Sequence, residues 1–136
     1  MKPLQTALAA EHAAVFAYGV IGAVLGAASE AADADLAAAG YAAHRRRRDQ
    51  LIARLGQDAV AAEAAYALPF DVDSERSARR LGRLVEQRCA AVYADVVSRT
   101  AGEARMLAAT ALTDCAVRGL GWGVEPEPFP GLGELR

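Results

Sequence analysis

Lysine is almost missing from this chain: Lys2 is the single one among 136 residues, and every other basic residue is arginine. That bias assigns no function. Neither sign of charge is in excess, with a formal net charge of −2, so nothing calls for nucleic acid or an anionic membrane. Aromatics make up only 6%, and Val/Ile/Thr alternation is scarce, which argues against a sheet. There are two cysteines, Cys89 and Cys115. They lack the dense spacing of a secreted disulfide scaffold or a zinc module, which points to a reduced, cytoplasmic chain. What is present instead is alanine, a strong helix former, in a chain that is 54% hydrophobic. That suffices for one all-α domain, 1–136, with one core.

The organising stretch is Leu4 to Leu25. Leu4, Leu8, Glu11, Val15, Tyr18, Gly22 and Leu25 recur at alternating steps of four and three, one seam of a helix. Every position on it is apolar or small except Glu11, and a carboxylate on a buried seam is costly unless something neutralises it. Ala13 to Ala28 is an unbroken apolar and small run. It is shorter than the roughly 20 residues a membrane span needs. Glu11 and His12 also stand where a signal peptide would be positive. A soluble helix is therefore expected, with no membrane partner.

Four helices follow from the pattern, over about 3–28, 33–55, 74–99 and 101–121. Pro3 suits a first turn. Ser29 and Asp33 offer N-caps for helix 2, and Gly56 a C-terminal stop. Helix 2 has a seam of Tyr41, His44, Arg48, Leu51 and Leu55. Asp73 or Ser74 caps helix 3, and Thr100-x-x-Glu103 fits a capping box for helix 4. The proline-rich tail, 123–136, is extended. Between helices 2 and 3 lie the seventeen residues 57–73. Antiparallel neighbours are usually joined by about two to eight. Seventeen extended residues reach about 55 Å, enough to return along a helix of that length. Two antiparallel hairpins joined by one long crossover make a ferritin-like four-helix bundle.

Di-metal proteins of that topology take a Glu from each of two helices and Glu-x-x-His from each of the other two. Glu11, His44, Glu86 and Asp114 place one candidate ligand on each helix. The residue three before His44 is Tyr41, the residue three after Asp114 is Val117, and no Glu-x-x-His lies on the seams. No metal is therefore expected, with iron or manganese the ions to consider if one binds. His12 points about 100° from Glu11 and reads as a seam-edge or surface residue. Arg45 to Arg48 encircle helix 2, so most of the run is solvated and at least one points toward the core. One short basic run without interleaved aromatics does not make a nucleic-acid site.

EHAAVFAYG near the start, HRRRRD in helix 2, AAYALPF in the crossover and Trp122 with Phe129-Pro130-Gly131 stand in an order and spacing that cover the whole chain. Together they resemble an uncharacterised, Ala-rich bacterial family with a ferritin-like domain of unknown function. The resemblance implies the four-helix fold and self-association. It implies no activity.

Three functional classes follow. The first is a metal-free or metal-poor structural or interaction protein. The second is a mono- or di-metal carboxylate oxidase or metal-binding protein. The third is a small-molecule binder in a vacated metal-site cavity. No catalytic residue is assigned and the reading leans away from an enzyme. Helix 1 has more small and apolar surface than its partners need, which predicts a homodimer. Counting outward from each turn sets Glu11 level with Arg48 and brings Cys89 near Cys115. A guanidinium fits a carboxylate bidentately, so the expected core ion pair is Glu11–Arg48, or Glu11–Arg47 after a slight rotation of the helix. The arginine would then sit where a relative holds a metal.

Overall fold

The computed structural model describes residues 1–28 and 31–133. It contains four helices: α1 (Lys2–Ala28), α2 (Ala31–Leu55), α3 (Glu75–Arg99) and α4 (Gly102–Gly121). A 3-10 turn, Gly56–Asp58, follows α2, and no strand occurs among the described residues. The fold is a ferritin-like four-helix bundle. α1 packs along both α2 and α3, and α4 packs along α3, whereas α2 and α4 barely touch. Their seam is an open groove of about 510 Å³, lined by residues that include Ala43, Arg47, Met106 and Asp114. The core is built from Leu4, Leu8, Tyr18, Ile21 and Leu25 of α1 against Leu51, Leu81, Val85, Tyr93, Val96 and Trp122.

Local chemistry sets the ends. Gly56 adopts φ +61°, the left-handed conformation that closes a helix at little cost. Ser74 caps α3 in a capping box with Ser77. Two sequence expectations fail here. The residue capping α4 is Ala101, and the Thr100 hydroxyl donates back to the Val96 carbonyl at 2.7 Å. Thr100 therefore closes α3 rather than opening α4. Asp33 lies inside the first turn of α2 and pairs with Arg79, so it is not the cap. Ser29 lies outside the described residues.

The crossover is fastened to α1. The Gln5 amide bonds the backbone of Asp58 and accepts from the Val60 N–H at 2.9 Å. His12, buried, bonds the Val60 carbonyl at 2.9 Å. Phe16 and Tyr66 pack with ring centroids 5.5 Å apart. Leu68, Phe70 and Val72 lean on the core. After α4 the indole of Trp122 is fully buried over Gly82, where any side chain would collide with it. The tail then crosses α3, with Gly131 seated on the Ala90 carbonyl at a positive φ that excludes a side chain.

By length and composition Lys2–Gly26 could cross a membrane. Here its seam is covered by α2 and α3, and it carries Glu11 and His12, both buried.

Candidate functional site

Each helix brings a polar side chain to the middle of this apolar core. α1 supplies Glu11 and Tyr18, α2 His44 and Arg47, α3 Glu86 and Tyr93, and α4 Asp114, Cys115 and Arg118. Glu11, His44 and Glu86 are at most 1% exposed.

His44 is the hinge of the network. Its Nδ1 donates to Glu11 Oε2 at 2.6 Å and its Nε2 to Glu86 Oε1 at 2.9 Å. Burial alone would push its pKa down, but the hydrogen bonds and charges of the two carboxylates outweigh this and raise it to about 10. His44 is thus an imidazolium with both nitrogens donating. Tyr93 donates to Glu11 Oε1 at 2.6 Å, and Tyr18 donates to Glu86 Oε1 at 2.5 Å. Burial, reinforced by the adjacent carboxylate, keeps both phenols protonated. The Trp122 indole donates to the Tyr18 oxygen at 2.8 Å.

Arginines close the network. Arg47 Nη1 donates to Glu11 Oε1 at 3.3 Å, and Nη2 donates to Asp114 Oδ2 at 2.5 Å. Arg118 donates to both Asp114 oxygens, and its Nε lies 3.7 Å from Glu86 Oε1. Cys115 sits beside Arg47, with Sγ 3.7 Å from Nη1. The Cys89 thiol hydrogen-bonds Cys115, which together with burial pushes it well up. Both cysteines are free.

The residues obey a near two-fold pattern. Tyr18 follows Glu11 by seven positions and Tyr93 follows Glu86 by seven. Arg47 follows His44 by three and Arg118 follows Cys115 by three. The bonds cross over: the tyrosine of each hairpin serves the glutamate of the other.

Glu11, His44 and Glu86 come together, while Asp114 stands at the rim between two arginines. The arginine on Glu11 is Arg47, the alternative expected for a slightly rotated helix, rather than Arg48. Arg48 folds back onto Asp49 at 2.8 Å. The buried face of α2 runs Ala37, Gly40, His44, Arg47, Leu51; it keeps His44 and Leu51 of the expected seam but has Gly40 and Arg47 in place of Tyr41 and Arg48, and this leaves Tyr41 exposed. Sequence reasoning gave no role to Tyr18, Trp122 or Arg118. The repeated Glu-x6-Tyr spacing was the available signal for the first.

A pair of metal ions does not fit these residues. The places at three-residue spacing on α2 and α4 hold His44 with Arg47 and Cys115 with Arg118. Both arginines are turned onto the glutamates a di-metal centre would need. A single ion fits better: donor atoms of His44, Glu86 and Cys115 lie within 4.8 Å of one another, all three residues buried.

Over residues 3–134 the sequence matches a family described as a domain of unknown function (DUF4439). The chain belongs to this family. A solved structure similar to it is that of a conserved hypothetical protein, rv2844, from Mycobacterium tuberculosis. The two are 36% identical, with a TM-score of 0.81 over 89% of this chain and 92% of that one. No curated protein matches the chain. The solved relative shares the fold, and neither description states an activity.

Proposed function

We propose that this family member is a metal-independent ferritin-like bundle, acting as a structural or interaction protein in the cytoplasm. The supporting observation is charge balance. Three carboxylates, Glu11, Glu86 and Asp114, meet three cations, His44, Arg47 and Arg118. Two divalent ions would leave this buried centre strongly positive, at a prohibitive desolvation cost. Protein purified without chelators should hold no stoichiometric iron or manganese, and its melting temperature should not change with EDTA. Two equivalents of either metal would overturn the reading.

A second reading has its own support in the His44–Glu86–Cys115 cluster. One divalent ion there would displace the imidazolium proton and the thiol proton, so the net charge of the centre would be unchanged. A mixed nitrogen, oxygen and sulfur donor set suits zinc or another borderline ion better than magnesium or calcium. Titration with cobalt(II) separates the two readings. The second expects one equivalent bound, a thiolate-to-cobalt absorption band and about two protons released. The first expects none of these.

Self-association belongs to the same proposal. Gly19, Ala23 and Gly26 leave a smooth, exposed stripe on α1, where a second copy could approach closely. Light scattering at tens of micromolar should give a dimer mass, and a monomer mass would refute it.

A further inference from the structure

A cavity of about 150 Å³ lies between α3 and α4 beneath the C-terminal tail. Its apolar walls include Ala90, Ala116, Leu120, Val124 and Pro130. Glu86 lines it from the bundle side. Among the described residues, Glu86 Oε2 is buried and has no hydrogen-bond partner, although Oε1 accepts from both Tyr18 and His44. A buried carboxylate oxygen left unpaired is costly, and few native groups tolerate it. Two more carboxylates in the lining, Glu125 and Glu127, are exposed, and among the described residues no lysine or arginine lines the cavity.

We propose that this cavity binds a small organic cation, an amine or amidine on an apolar body, through Glu86 Oε2. The ligand's N–H would supply the missing donor as a charge-assisted bond. Its body would replace water against the aliphatic walls. Glu125 and Glu127 would favour positive ligands at the entrance. A cavity of about 150 Å³ can hold a benzene-sized group. This site shares Glu86 and Cys115 with the central cluster, so the proposal rests on the metal-free reading, which the cobalt titration tests separately.

The test uses the full chain and benzamidinium as probe, with benzoate and benzyl alcohol as anionic and neutral controls of similar size. Calorimetry or chemical-shift titration should show saturable one-to-one binding of benzamidinium in the millimolar range or tighter, and none of benzoate. Ala116→Phe fills the cavity from a residue that is not itself part of the central network and should weaken binding at least about tenfold. Glu86→Gln should weaken it as well. Should the Gln variant fail to fold, Ala116→Phe decides alone. Equal binding of benzoate, unchanged binding by Ala116→Phe, or no binding of benzamidinium in the millimolar range would overturn the proposal.

Discussion

The hydroxyl of Tyr18 is used twice, accepting from Trp122 and donating to Glu86, whereas Tyr93 donates to Glu11, which also has His44 and Arg47. Removing Tyr18's oxygen therefore strands a buried indole N–H and leaves Glu86 with His44 as its one hydrogen-bond donor. Tyr18→Phe should cost about 2–3 kcal/mol in urea unfolding, and Tyr93→Phe about 1–2. Equal losses would contradict this ranking. His44 makes the fold sensitive to alkali. Its pKa is raised on folding from 6.5 to about 10, so its contribution is complete below 6.5 and disappears as pH rises through 10. Unfolding free energy should fall between those values, by an amount on the order of 5 kcal/mol. His44→Gln should flatten that slope, and a slope unchanged by the substitution would refute the assignment.

At the scale of the helix, glycines separate close approach from open surface. A side chain at Gly40 would strike the Tyr18 ring, which is held by Trp122 and Glu86 and cannot swing away. Gly19 faces open space. In the dilute monomer, Gly40→Ala should destabilise by about 1–3 kcal/mol, and Gly19→Ala should stabilise by about 0.5–1. Thermal melts of the two variants check the opposite signs. Helices were legible in the sequence because the Leu4–Leu25 seam repeats over several turns, and the crossover because it is too long for a hairpin. The contacts inside the site were less legible. One residue along a helix turns it by about 100°, so a small error in the α1–α2 register exchanged Arg47 for Arg48. Thr100 misled for a related reason: its hydroxyl bonds equally well to the turn behind it as to the turn ahead. Glu86 was legible as a candidate ligand, but its partners, Tyr18 and His44, come from distant parts of the chain and leave no local signal.

For the whole molecule, the consequence lies in how the halves are joined. Each hairpin lends the other's glutamate a donor, since Tyr18 reaches across to Glu86 and Tyr93 to Glu11. Residues 61–65 of the connection are exposed. A single cut there would leave Val60 fastened to α1 and Leu68, Phe70 and Val72 on the core. The chain would become a two-piece complex, and the severed link would have contributed only effective concentration, in the millimolar range for a short tether. Nicked protein should run as one species at micromolar concentration. On dilution it should separate into halves that are each largely unfolded, because the polar groups of one are the lock for the other. Two independently folded hairpins after nicking would mean that the crossed bonds do not couple them.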